Sequence, residues 1–203
     1  MGKRHTRIIG VTGGVGCGKS EILSYLKKTY KCRVLLADLV AKQMQEPGSA
    51  CYGELVSLLG RDVLDEMGNI QKDKMAEKIF QDGTLLKQVN DLIHPAVVTY
   101  ILQQIEETRK SGEYDFFFIE AALLIETGFD KICDELWYIY AKEEVRRARL
   151  KASRGYRDEK ITAIMGKQLP EETFRKYCKV VIDNSGTLEK SFDQIDRVLE
   201  AYL

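Results

Sequence analysis

Along the chain, short runs of consecutive apolar residues alternate with longer stretches in which apolar residues return every three or four positions. Five such runs stand out, at residues 7–12, 33–37, 114–119, 135–140 and 179–182. They are continuous rather than alternating, the mark of strands buried on both faces of a parallel sheet. Between them the period is helical. Ile22, Leu23 and Leu26 form one stripe, and Val97, Val98, Ile101, Leu102 and Ile105 form another, with Pro95 suited to the first turn of its helix. Phe192, Ile195, Val198, Leu199 and Tyr202 mark an amphipathic C-terminal helix. Alternating strands and helices predict a layered α/β fold with right-handed crossovers. The interval 38–113 is too long for one crossover helix and reads as a helical insertion covering a substrate site. No repeat, low-complexity tract or linker breaks the pattern, so the 203 residues are expected to form a single domain. Its core would comprise about residues 1–37 and 114–203.

Composition narrows the function. Hydrophobic residues make up 44% and charged residues 31%, a globular rather than a disordered balance. Lys and Arg total 31 against 31 Asp and Glu, so bulk attraction to polyanions is excluded and no nucleic-acid partner is expected. The longest apolar run, residues 116–125, is interrupted by Glu120 and falls short of the about 20 residues of a membrane helix. The basic start, residues 1–7, precedes no signal-type apolar stretch, so a cytoplasmic location with no membrane partner is expected. The five cysteines form no C-x-x-C pair, and His5 and His94 are the only histidines, poor material for a structural zinc site.

The strongest chemical signal is Gly13-Gly14-Val15-Gly16-Cys17-Gly18-Lys19-Ser20, a full G-x-x-x-x-G-K-[ST] between an apolar strand and an amphipathic helix. Such a loop turns successive backbone N–H groups toward phosphate oxygens, aided by the positive end of the following helix. It assigns residues 13–20 to ATP, with Lys19 reaching the β- and γ-phosphates and the Ser20 hydroxyl meeting Mg²⁺. The predicted fold is therefore P-loop nucleoside-triphosphate hydrolase-like, three-layered, around a five-stranded parallel sheet. Cys17 has two readings: a small tolerated residue, or a thiol acidified by Lys19 and the helix N-terminus. Asp65-Glu66-Met67-Gly68 spells the D-x-x-G of GTPases, but it follows a helical pattern, no N-K-x-D accompanies it, and it reads as a turn.

Two acids sit at strand tips. Asp38, after the second run, could meet an acceptor hydroxyl or cap a helix; Glu120, after the third, could hold the water shell of Mg²⁺ or stand solvated. Here the chain resembles the dephospho-coenzyme A kinases. The phosphate loop is followed by Ala37-Asp38 with Ala41-Lys42, then Glu46-Pro47-Gly48, Gly68-Asn69-Ile70, Ile93-His94-Pro95 and Leu123-Leu124-Ile125-Glu126. Gln168 and Ile182-Asp183-Asn184-Ser185-Gly186 complete the ordered set. The resemblance implies ATP-dependent phosphorylation of the ribose 3′-hydroxyl of dephospho-coenzyme A, the last step of coenzyme A synthesis. It implies Asp38 as general base, and Asp38, Lys42, His94 and Glu126 as substrate contacts. It also implies an adenine-side contact near Asn184, a coenzyme-binding insertion and a lid over about residues 142–168. The pattern departs at Leu36, Ala122, Ile164 and Cys178-Lys179, where the family carries Asp, Pro, Arg and Ala-Asp.

Residues 142–157 carry seven cations and two acids, a surplus of +5 in a neutral chain. Beside a phosphate loop it reads as a clamp on the transferring group, for which the arginine fork is suited. Arg147 and Arg154 are the candidates. Two other readings remain: a P-loop kinase of a nucleoside or nucleoside monophosphate, and a nucleotide-binding regulatory protein without catalysis. A monomer or weak homo-oligomer is expected.

Overall fold

A computed structural model describes residues 6–203, so His5 and most of the basic start lie outside the described residues. The five expected strands are all present: β1 (Arg7–Thr12), β2 (Cys32–Leu36), β3 (Phe116–Glu120), β4 (Glu135–Tyr140) and β5 (Val180–Asp183). They form one sheet of order β2-β3-β1-β4-β5. β1 pairs in parallel with β3 and with β4, and β4 with β5. Ile8, Ile9 and Val11 on β1, all of β3 but Glu120, and Trp137 on β4 are buried, as continuous apolar runs require.

By its internal contacts the chain divides into two compact units. The first runs to Leu35 and resumes from Ile105 to Leu203; the second is Leu36–Gln104. In the first, α1 (Lys19–Thr29) buries Ile22, Leu23 and Leu26, the stripe read from the sequence. The last helix, α9 (Leu188–Glu200), buries Ile195 and Leu199. Phe192 stacks on Tyr25 of α1 with ring centroids 3.9 Å apart, and Asp196 accepts the hydroxyls of Tyr25 and Tyr30. Between these helices the chain forms α6 (Glu143–Arg154), α7 (Asp158–Met165) and α8 (Glu171–Tyr177).

The second unit is helical, as the interval after β2 implied. It holds α2 (Ala37–Gln43), α3 (Tyr52–Leu59), α4 (Lys72–Gln81) and most of α5 (Gly83–Ser111). The D-x-x-G segment is a turn: Gly68 N–H bonds to the Asp65 carbonyl, and Asp65 Oδ1 accepts the N–H groups of Met67 and Asn69. Pro95 differs from expectation, for it lies inside α5 rather than in its first turn. An apolar stripe of Val89, Ile93, Val97 and Ile101 runs through it, all buried, and tertiary burial of that stripe outweighs the one backbone bond Pro95 cannot make. α4 buries none of its residues; Met75, Ile79 and Phe80 from it, with Leu86 of α5, line an apolar pocket of about 570 Å³.

Candidate active site

β1 lies in the middle of the sheet, flanked by β3 on one side and β4 on the other. The crevice outside the carboxyl end of such a strand is where open α/β sheets bind ligands. The chain leaves β1 there, turns through residues 13–18 and enters α1 at Lys19. Two glycines in the turn have no substitute. A Cβ on Gly13 would stand 2.4 Å from the Ile139 carbonyl oxygen, and one on Gly18, at φ 89°, would stand 2.4 Å from Asn184 Nδ2.

Lys19 folds back over the loop, donating from Nζ to the Gly13 carbonyl at 2.8 Å. Its charge faces Glu120 at 3.5 Å, with 16% and 14% of the two side chains exposed. The register explains the meeting: Glu120 lies beside Val11 on β1, two residues before Gly13. The exposed Ser20 stands in the first turn of α1. Among the described residues no cluster of three or more His, Cys, Asp or Glu side chains could hold a metal. Ser20 and Glu120 nevertheless supply the oxygen donors suited to Mg²⁺, which binds through one or two protein oxygens together with substrate phosphates.

Asn184 follows β5 and is buried. Its Nδ2 donates to the Cys17 carbonyl at 2.8 Å, its Oδ1 accepts the Ser191 hydroxyl at 2.8 Å, and its own carbonyl accepts Arg149 Nη2 at 2.9 Å. The Cys17 thiol, 1% exposed, is pushed up in pKa by burial, which outweighs the opposing pull of Lys19. Of the two readings of Cys17 this supports the small tolerated residue, here buried, over the acidified thiol.

α6 presents its cations on two faces. Arg146 and Arg149, three apart, turn to the loop: Arg146 Nε donates to the Val15 carbonyl at 2.8 Å, and Arg149 Nη1 to the Cys17 carbonyl at 3.3 Å. Arg147 pairs instead with Glu143 at 2.7 Å and Asp158 at 3.7 Å, and donates to the Thr162 hydroxyl at 3.0 Å. Lys151 shares Asp158 at 2.8 Å, and Arg154 lies 5.9 Å from the ring centre of Tyr156. Asp158 stands one residue beyond the basic segment, so part of the +5 surplus is neutralised locally. Its carboxyl lies below the usual range, chiefly through the Lys151 hydrogen bond. Gln168, just past α7, accepts the Val15 N–H at 3.1 Å. The sequence favours Arg147 and Arg154 over Arg146; a three- to four-residue spacing signals a basic helix without indicating which face meets the loop. Glu126 is exposed in the turns after β3.

Three further candidates belong to the helical unit. Asp38 is exposed and second in α2; Leu36 is the N-cap, without a side-chain cap bond, so the capping reading of Asp38 does not hold. Lys42 follows four residues later on the same helix, also exposed. His94 is exposed within α5, not buried beside a helix start.

The dephospho-CoA kinase family profile matches residues 7–190. The dephospho-CoA kinase of Aquifex aeolicus is 36% identical over 193 residues, 95% of each chain. A Thermus thermophilus crystal structure superposes with a TM-score of 0.81 at 28% identity, covering 97% of this chain and 98% of that one. The dephospho-CoA kinase of Campylobacter jejuni shares the fold, with a TM-score of 0.72 at 20% identity over 95% of each chain.

Proposed function

The chain belongs to the dephospho-coenzyme A kinase family, and we infer from its site how it carries out that family's reaction. It transfers the γ-phosphoryl group of ATP to the ribose 3′-hydroxyl of dephospho-coenzyme A, giving coenzyme A and ADP. The observation that carries phosphoryl transfer from ATP is the complete phosphate loop, set between β1 and α1 at the switch point of a parallel sheet, and the family match supports the acceptor.

In our reading the amides of residues 13–20 cradle the ATP phosphates, and Lys19 exchanges the Gly13 carbonyl for phosphate oxygens. Mg²⁺, when bound, neutralises charge on the β- and γ-phosphates; Ser20 would ligate it and Glu120 would hold one of its waters. Asp38 accepts the proton of the 3′-hydroxyl as that oxygen attacks phosphorus in line with the departing ADP. Its exposure on α2, free of any capping duty, supports this role. Lys42, His94 and Glu126 contact the coenzyme substrate, and the apolar pocket of the helical unit suits its uncharged arm. Asn184 supports the base-side wall through its bond to Cys17. Arg147 and Arg154 reach phosphate when the lid, about residues 142–168, closes; for Arg147 this means leaving Glu143 and Asp158. No described helix is long and apolar enough to cross a membrane. The zero net charge, which gives no bulk attraction to polyanions, supports a protein without nucleic-acid partners, and a cytoplasmic monomer or weak homo-oligomer is part of the same proposal.

The deciding experiment measures ADP release from Mg-ATP with dephospho-coenzyme A against a panel of nucleosides and nucleoside monophosphates. Stimulation by dephospho-coenzyme A alone is expected; stimulation by a panel member instead would overturn the acceptor assignment, and ATP binding without turnover would overturn catalysis.

A further inference from the structure

Two side chains of the lid region, Arg146 and Gln168, converge on one residue of the phosphate loop, Val15. Arg146 donates from Nε to the Val15 carbonyl at 2.8 Å and from Nη2 to Gln168 Oε1 at 2.7 Å. That same Gln168 oxygen accepts the Val15 N–H at 3.1 Å. Both backbone polar atoms of one loop residue are thus held by two side chains that are bonded to each other. The ring closes over sequence separations of 131 and 153 residues, so it forms only in the folded protein. Space beside it is tight: a Cβ on Gly14 would lie 2.4 Å from Arg146 Nη2.

Phosphate recognition does not explain this arrangement. Arg146 gives Nε to a loop carbonyl and Nη2 to a carboxamide that itself holds the loop, so both bonds act on the loop backbone rather than on an anion. What the ring governs is the shape of the loop. Gly13, Gly14, Gly16 and Gly18 allow the close turn, and they also leave the free loop many conformations to lose on binding. Pinning Val15 at both its N–H and its carbonyl removes that ordering cost from the binding step.

We propose that Arg146 and Gln168 are positioning residues that preorganise the phosphate loop through Val15, coupling loop order to the lid region. The proposal rests on ATP being the ligand of the loop. It calls for the fork of Arg146 rather than its charge, because one ammonium cannot span two acceptors in fixed directions.

The test uses Arg146→Ala, Arg146→Lys, Gln168→Ala and the Arg146→Ala/Gln168→Ala double variant. ATP affinity is measured by calorimetry without acceptor, and kinetics are measured with dephospho-coenzyme A. Each single variant is expected to bind ATP about tenfold more weakly, the loss of one charge-assisted hydrogen bond. kcat should fall less than the KM for ATP rises, and the KM for dephospho-coenzyme A should hold. Arg146→Lys should be no better than Arg146→Ala. The double variant should be no weaker than the weaker single, because either change opens the same ring. Circular dichroism and melting temperature select the variants that retain the fold, and any one of the three singles carries the comparison. Additive losses, parental ATP affinity in Arg146→Lys, or unchanged ATP affinity in Gln168→Ala would overturn the proposal. A parent that binds ATP but does not phosphorylate dephospho-coenzyme A would refute the acceptor reading alone, leaving the ring to be judged on ATP affinity. A parent that binds no ATP would overturn both.

Discussion

In the proposed mechanism Lys19 and Asp38 serve opposite ends of the transfer, and their substitutions should separate cleanly. There Lys19 neutralises charge that grows on the phosphates, so Lys19→Ala should lower kcat by at least about 10²–10³-fold, read as ADP release at saturating ATP. Asp38→Asn keeps size and shape while removing the proton acceptor. Its kcat should fall by about 10²–10⁴-fold while calorimetric ATP affinity stays at the parental value. Near-parental turnover in that variant would take Asp38 out of the base role. Lys19 is legible in a contiguous motif, whereas the strand-end position of Asp38 leaves two readings open and only the family pattern implies the base.

At the scale of elements, the loop is held in place by β5, α6 and α9 together. Asn184, just after β5, ties the Cys17 carbonyl to Ser191 on α9, with all three residues buried. Asn184→Ala would leave the carbonyl and the hydroxyl without these bonds. It should cost about 1–3 kcal/mol of unfolding free energy in urea titrations and weaken ATP binding as well. A variant with parental stability and a raised KM would instead make Asn184 a nucleotide contact with little structural weight. α6 shows why a basic helix cannot be read by charge alone. Arg146 and Arg149 hold loop carbonyls, while Arg147 and Lys151 share Asp158 from the next helix. α5 teaches the same lesson about proline: Pro95 usually marks a helix start, yet the buried stripe on either side carries the helix through it.

Over the whole molecule, folding buries several acidic protons that the unfolded chain would release more easily. Burial pushes Cys133, Cys178 and Tyr138 up to about 12 and Cys32 up to about 11. A group whose pKa is raised by folding contributes its full stability below the unfolded value and loses it as pH climbs through the folded one. These groups should therefore leave stability level through neutral pH and lower it from about pH 9 upward, as the unfolded thiols ionise first. Urea midpoints at pH 7, 9 and 11 under reducing conditions test this; a midpoint that holds at pH 11 would show that these groups ionise as freely in the folded protein as in the unfolded chain.

The strands, the phosphate loop and the helical insertion could be read from the sequence because each is encoded locally. Continuous apolar runs have no other use in a parallel α/β sheet, and the loop's glycines, lysine and serine adjoin one another. The +5 surplus was equally legible, but its orientation was not, because a helix face is chosen by what packs against it. Only the fold brought Glu120 to Lys19, through the register of β3 on β1, and buried the Cys17 thiol that its neighbours alone would have acidified. Only the fold closed Arg146 and Gln168 around Val15. Local chemistry is written in adjacent residues, whereas a contact between residues more than a hundred positions apart exists only after the sheet and helices have brought them together.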